Sequence, residues 1–406
     1  MKINYIIRSF PNPTETFIVN HVYWLEKENL LDTLYIKSFN KNKIIKFNDI
    51  QELGVLFQTY PLAIAGLQKL KRIFKLIINR KTAIYIFKYY LFFFPRNLKP
   101  FYDILYLKDF DAQKVTHIQF NTSIGPLKEL RKINYLQPLK VIITFHGYDA
   151  FRLSKNLYER EYKYFYDENV KFVTVNSNYV KNHLISVGIE VDKIKIVPVG
   201  VDLKTFNTVI KPKSNLLKVI NIISVGRLIQ LKGHKYGVEA VAKLKKQGFA
   251  VKYTIIGDGL LDFKHQLKQY VEELNCSNEV HFLGLKSQEE IKNELLKNDI
   301  FYMLSTFDDN TNRKEAFGVA AIEAQASGLP VVGFNSGGVP EAIIHEKTGF
   351  IVKDRSVEEI VKVTKKLISN NSMYKNMSKE ARFLVEKKFD NEKLYTAYKN
   401  LYQESL

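Results

Sequence analysis

Short runs of aliphatic and β-branched residues recur along this chain, separated by stretches whose apolar positions fall three and four apart. Such runs, bounded by turn formers, read as strands, and the three-and-four spacing reads as amphipathic helix. The pattern predicts strands at 3–8, 33–39, 116–120, 140–145, 172–176 and 194–199 in the first half. In the second half it predicts them at 220–225, 252–256, 279–283, 300–304, 330–334 and 349–352, with helices such as 234–247 and 287–296 between them. Strands alternating with helices build βαβ units and parallel sheets. A single core seldom grows past roughly 250–300 residues. Two such series in 406 residues therefore predict an α/β protein of two doubly wound, Rossmann-like domains. The polar segment 206–218, with Pro212, is the expected seam. It gives domains at 1–206 and 207–385, and a terminal helix at 386–406 packing back on the first.

In open parallel sheets ligands sit at the carboxyl ends of strands, so the loops there carry the chemistry. The strand at 220–225 runs into Gly226-Arg227-Leu228, and Lys232-Gly233 precedes the next helix. Arg chelates phosphate oxygens bidentately, Lys acts as a point charge, and a helix N-terminus favours anions. Together they form a candidate diphosphate clamp; alone, the pair reads as readily as two surface cations. After the strand at 300–304, Glu315-Ala316-Phe317-Gly318-Val319-Ala320-Ala321-Ile322-Glu323 sets two carboxylates eight positions apart. The amides of Phe317, Gly318 and Val319 fall at the expected helix start, which places Glu323 about two turns in. A carboxylate there suits ribose hydroxyls, as in dinucleotide-binding folds. Glu315, ahead of the helix, would face the transferred group. A solvated helix face is the plain alternative, but Ala320, Ala321, Ala324 and Ala326 mark the helix as buried, and buried glutamates need partners.

These motifs, followed by Ala326-Ser327-Gly328-Leu329-Pro330-Val331-Val332, Gly337-Gly338-Val339-Pro340-Glu341 and Thr348-Gly349-Phe350, resemble the retaining glycosyltransferases of family 4. The resemblance implies the GT-B fold, with the active site in the cleft between two domains. It implies Arg227 and Lys232 on the donor diphosphate, Glu323 on ribose, Glu315 on the sugar hydroxyls, and Gly284 and Leu285 near the base. The expected donor is a UDP- or GDP-sugar as co-substrate, with no cofactor and no metal. Gly257-Asp258-Gly259 reads as a turn that places the next helix.

In the first half, Thr144-Phe145-His146-Gly147-Tyr148-Asp149 follows a strand where that family places a histidine near the reaction centre. His117, His183, His234, His265, His281 and His345 lack such a context and read as structural. The run Thr14-Glu15-Thr16-Phe17-Ile18 replaces the glycine-rich loop of many family members. It resembles members that build bacterial exopolysaccharide and colanic-acid-like polymers, as do Ile118-Gln119-Phe120-Asn121 and Gly125-Pro126. Thr14, Glu15 and Thr16 are thus acceptor-side candidates, although Thr14 also reads simply as a helix N-cap.

Composition alters this picture in one respect. Hydrophobic content of 46% and charged content of 25% are ordinary, but the net charge is +19. Residues 1–110 hold 17 Lys and Arg against 8 Asp and Glu, and residues 69–99 interleave cations with Phe and Tyr without one acid. That stretch suits an anionic membrane, where each cation contributes about 1 kcal/mol. It would also suit nucleic acid, or be a plain solvated surface. Nucleic acid leaves the paired glutamates unexplained. The expected partners are a nucleotide sugar, a glycan or lipid-linked glycan acceptor, and an anionic membrane touched through residues 69–99. A GT-B epimerase or phosphorylase is the remaining alternative. The single cysteine, Cys276, excludes an intrachain disulfide and fits a reducing compartment. The longest apolar stretch, 82–94, is short of the roughly 20 residues that span a bilayer. The expected location is the cytoplasm, at the inner membrane face.

Overall fold

The computed structural model describes residues 1–10, 15–39, 57–59, 83–84, 87, 99–107, 109–132, 134–206 and 219–406. Thr14, nearly all of the basic stretch 69–99 and the seam beyond Phe206 lie outside the described residues. The chain forms two compact units. One comprises Met1–Val175, Lys181–Val197 and Tyr395–Leu406; the other comprises Asn176–Val180 and Pro198–Leu394. Among the described residues no helix is long and apolar enough to cross a membrane.

The first unit is built on β1 (Ile3–Phe10), β2 (Leu31–Phe39), β3 (Phe57–Thr59), β4 (Val115–Gln119), β5 (Lys140–Phe145), β6 (Val170–Val175) and β7 (Ile194–Ile196). They pair in parallel in the order β3-β2-β1-β4-β5-β6-β7. β4 is buried along its whole length and β5 along all but Lys140, as expected for strands covered on both faces. β3, three residues long, is the one described strand that the pattern does not predict. It falls below the four-to-eight-residue length at which a run can be read.

The second unit is built on β8 (Ile220–Val225), β9 (Val251–Ile256), β10 (Val280–Gly284), β11 (Ile300–Met303), β12 (Val331–Phe334) and β13 (Gly349–Val352). These pair in parallel in the order β10-β9-β8-β11-β12-β13. In both sheets the winding reverses beside the first strand, between β1 and β4 and between β8 and β11. A doubly wound sheet opens a crevice for ligands at such a switch point.

Backbone-on-backbone packing at the carboxyl edge of the second sheet accounts for several glycines. The Gly338 N–H donates to the Glu315 carbonyl at 2.8 Å, and a Cβ on Gly338 would sit 2.0 Å from the Ala316 carbonyl oxygen. Gly257 and Gly259 have an equivalent role. Cβ atoms there would lie 1.9 and 2.1 Å from the carbonyl oxygens of Gly226 and Leu228. The Gly257-Asp258-Gly259 run is therefore more than a turn before a helix; it lets the Gly226–Leu228 loop lie flat against it.

Gly338 has an ordinary φ of −88°, so replacing it tests crowding alone. Gly338→Ala is expected to lower unfolding free energy by about 1–3 kcal/mol. Gly125→Ala, whose Cβ would meet nothing within 4 Å, should stay within about 0.5 kcal/mol of the parent. Denaturant midpoints of the two variants check this.

Candidate active site

The second unit's site lies at the ends of β8 and β11. After β8 the chain passes through Arg227 to a short 3-10 turn, Gln230–Lys232, and then through Gly233 at φ +62° into helix His234–Lys246. A side chain on Gly233 would place its Cβ 1.9 Å from the Leu304 carbonyl oxygen, so only glycine lets this loop approach β11. Arg227 is exposed. Its carbonyl accepts a hydrogen bond from Nε2 of buried His234 at 3.2 Å. Burial depresses that imidazole to about 4, so the ring is neutral when it braces the loop.

Lys232 and Glu315, assigned by resemblance to different parts of the donor, meet directly: Nζ lies 2.5 Å from Oε2. Ser305 Oγ donates to the same oxygen at 3.0 Å. Burial alone would push the Glu315 carboxyl up. The Lys232 charge, its hydrogen bond, the Ser305 hydroxyl and the more distant Arg227 outweigh burial and hold it below its ordinary value.

Helix Val319–Ala326 follows, with Gly318 at φ +111° in the N-cap position. This corrects the expected start. Glu323 is the fifth helical residue, so it stands little more than one turn in, about 6 Å along the axis rather than about 9 Å. Ala321, Ala324 and Ala326 are fully buried, and the half-buried Glu323 accepts from Gln288 Nε2 at 3.3 Å. Burial raises its carboxyl to about 7 against that single hydrogen bond. Phe317 packs in the core, so its backbone, not its ring, is available to a ligand.

Gly284 closes β10 at φ +68°, with open space where a Cβ would be, and Leu285 beside it is 64% exposed. An apolar side chain left bare at the sheet edge suits the face of a planar group. The Asp308–Asn312 loop is tied to the clamp loop. Asn310 Nδ2 donates to Gln230 Oε1, and Gln230 Nε2 donates to Asp309 Oδ2, both at 3.0 Å. Glu341, from the glycine-pair motif, is a clasp: its carboxylate accepts the backbone N–H groups of Asn178 and Tyr179 at 2.7 and 2.8 Å.

In the first unit His146 follows β5. Its ring lies between those of Phe17 and Phe120, at centroid separations of 4.9 and 4.6 Å, and burial depresses it to about 3. The Glu15–Phe17 run thus borders His146 through Phe17. Helix Thr16–Lys27 has Glu15, not Thr14, in the N-cap position, with no side-chain cap. Two residues quoted from the sequence but given no role complete this site. Gln119 Oε1 lies 2.5 Å from His146 Nε2, and Asp149 accepts the backbone N–H groups of His146 and Asn121 at 3.0 and 2.9 Å. Burial lifts Asp149 to about 6 despite those bonds. The signal that could have pointed to Gln119 is its position at the end of β4, beside the end of β5. Among the described residues no group of His, Cys, Asp or Glu is arranged to hold a metal ion.

The family described as "Glycosyl transferases group 1" matches residues 207–383, and "Glycosyltransferase Family 4" matches residues 65–205. The amylovoran biosynthesis glycosyltransferase AmsK of Erwinia amylovora is 30% identical over 71% of this chain and 69% of its own. The putative colanic acid biosynthesis glycosyltransferase WcaL of Escherichia coli K12 is 29% identical over 57% of this chain and 56% of its own. In fold, the chain is similar to Anabaena HepE, solved in complex with UDP. That likeness has a TM-score of 0.73 at 17% identity and covers 100% of both chains. The two parallel units are of the GT-B type, and the chain belongs to the family-4, group-1 glycosyltransferases.

Glu323 yields a pH signature. Its carboxyl rises from an ordinary value near 4.5 to about 7 on folding, so the fold favours the protonated form. That contribution to stability is fully present below about pH 4.5 and is lost as pH rises through about 7. After discounting for partial exposure, the swing is about 1–2 kcal/mol. Glu323→Gln should flatten the fall in melting temperature between pH 5 and 8, as thermal melts across that range will show.

Proposed function

We propose that this chain is a retaining, metal-independent hexosyltransferase that moves a sugar from a UDP- or GDP-sugar to a hydroxyl of a growing, lipid-linked surface polysaccharide. The observation that carries the reading is the set formed by exposed Arg227, Lys232, Ser305 and Glu315 at the switch point of the second sheet. Arg227 and Lys232 bind the diphosphate and stabilise the charge that develops as it departs. The N–H groups of Gly318 and Val319, with the backbone of Phe317, address phosphate or sugar oxygens. Glu315 accepts from hydroxyls of the sugar, Glu323 accepts from the ribose, and Gly284 and Leu285 line the base.

The acceptor oxygen bonds to the anomeric carbon on the face from which the diphosphate oxygen leaves. The acceptor's proton passes to that departing oxygen. His146, together with Thr14, Glu15 and Thr16, serves the acceptor side. A polymer acceptor is supported by the names of AmsK and WcaL, and a nucleotide-sugar donor by the UDP bound to HepE. The basic stretch 69–99 holds the enzyme at the inner face of an anionic membrane.

Melting-shift measurements with UDP-, GDP-, ADP- and CMP-sugars in the presence of chelator test the donor. One base is expected to raise the melting temperature, and silence across all four would remove the donor assignment. Arg227→Ala and Lys232→Ala should each reduce turnover about 10²–10³-fold. Near-normal rates in both would sink the clamp.

A further inference from the structure

The first unit encloses neutral imidazoles that the transfer reading leaves without a task. His21 and His117 are buried within the sheet and the helices over it, and burial depresses both. A neutral imidazole has one donor and one acceptor, so each partner it meets constrains which nitrogen carries the proton. The Gln119 amide nitrogen donates to Tyr5 OH at 2.6 Å and lies 3.2 Å from His117 Nε2, so its two donors face two acceptors. The amide oxygen is left for His146, 2.5 Å from Nε2. His146 therefore carries its proton on Nε2 and keeps Nδ1 as an acceptor.

His117 Nε2 can accept only if its own proton is on Nδ1, and that nitrogen lies 2.7 Å from Tyr402 OH. Tyr402 OH also lies 3.2 Å from His21 Nε2, and His21 Nδ1 lies 3.1 Å from Tyr5 OH. Thr144 Oγ1, 2.6 Å from His117 Nε2, donates to the same lone pair. We propose that Gln119 is the positioning residue of His146, and that Tyr402, in the last helix of the chain, sets the sense of the Gln119 amide through His117. This rests on the reading that His146 serves the acceptor side, where a bare Nδ1 can accept from a hydroxyl of the acceptor other than the attacking one, whose proton goes to the departing diphosphate. With Tyr402 removed, the His117 proton moves to Nε2, where Thr144 Oγ1 accepts it. Gln119 then turns its oxygen inward and its nitrogen to His146, and the His146 proton moves to Nδ1.

Nitrogen-15 NMR of the imidazoles in the full chain distinguishes the tautomers without any activity measurement. Wild-type His146 is expected on the Nε2–H tautomer, and Tyr402→Phe should shift it towards Nδ1–H. Transfer kcat should fall in proportion to the Nε2–H fraction lost, while the donor KM holds. Gln119→Leu should release the tautomer and Gln119→Glu, which keeps an oxygen for Nε2–H, should restore it. An Nδ1–H tautomer in the wild type overturns the proposal. So does a Gln119→Leu or Tyr402→Phe variant with the wild-type tautomer. If Tyr402→Phe fails to fold, the wild-type and Gln119 spectra decide. Tautomers that respond as stated in a protein without transferase activity would uphold the relay and retire the function assigned above.

Discussion

Lys232 and Glu315 come from loops far apart in the sequence, yet their charges stand 2.5 Å apart at the edge of the second sheet. They meet because β8 and β11 are hydrogen-bonded neighbours, and because Gly233 lets the first loop lie against the end of the second strand. Both side chains are mostly buried, with 18% and 16% exposed. Bringing two ions out of water costs several kcal/mol each, and their attraction repays this only when the geometry is good and further hydrogen bonds assist. Ser305 supplies one such bond. A pair of this kind adds little to stability, and hydrophobic residues of like volume would hold the loops as well. The ammonium has three donors, and Glu315 takes one of them.

The backbone around this pair is constrained as tightly as the side chains. Gly337 and Gly338 bring their loop within hydrogen-bonding range of the Glu315–Ala316 backbone, and His234 holds the Arg227 carbonyl from the opposite side. These residues were visible as a motif glycine pair and as one histidine without context, respectively. In the structure they share a purpose, the fixing of main chain on either side of a charged pair. Preorganisation of that sort lets fixed charges act on a ligand without first reorienting.

The elements and the ordered motifs could be read from the chain because both are local. A buried strand such as β5 announces itself in six residues, and the Ser287–Glu290 capping box marks a helix start in four. What could not be read depends on neighbours in space. The pairing of Gln119 with His146 requires β4 to lie beside β5 with Gln119 opposite Thr144. The contact of His117 with Tyr402 depends on which residues of the returning terminal helix face the first sheet. The start of helix Val319–Ala326 was placed early because Gly318 acts as the cap at positive φ, and no periodicity reveals a backbone angle. Thr14 was a chemically sound cap, but Glu15 holds the position.

The two units answer the same cost of burial in opposite ways. In the second, Glu315 keeps its charge because Lys232 and Ser305 more than repay its desolvation, whereas Glu323, with one amide donor, is lifted to about 7. In the first, His21, His117 and His146 give up the charged form, and nothing has to balance them. A charged pair is suited to an anionic ligand, because the cation is already held in place. A set of neutral rings has little field at a distance, yet it carries direction, since each ring must donate from one nitrogen and accept at the other. Tyr395, Tyr398 and Tyr402 pack around His21 and His117, and their burial keeps water from either nitrogen of those rings. Trp24, stacked on Tyr395 at 4.7 Å, closes the same shell from helix Thr16–Lys27. The terminal helix is therefore part of the chemistry around β4 and β5 as well as a cover for that sheet.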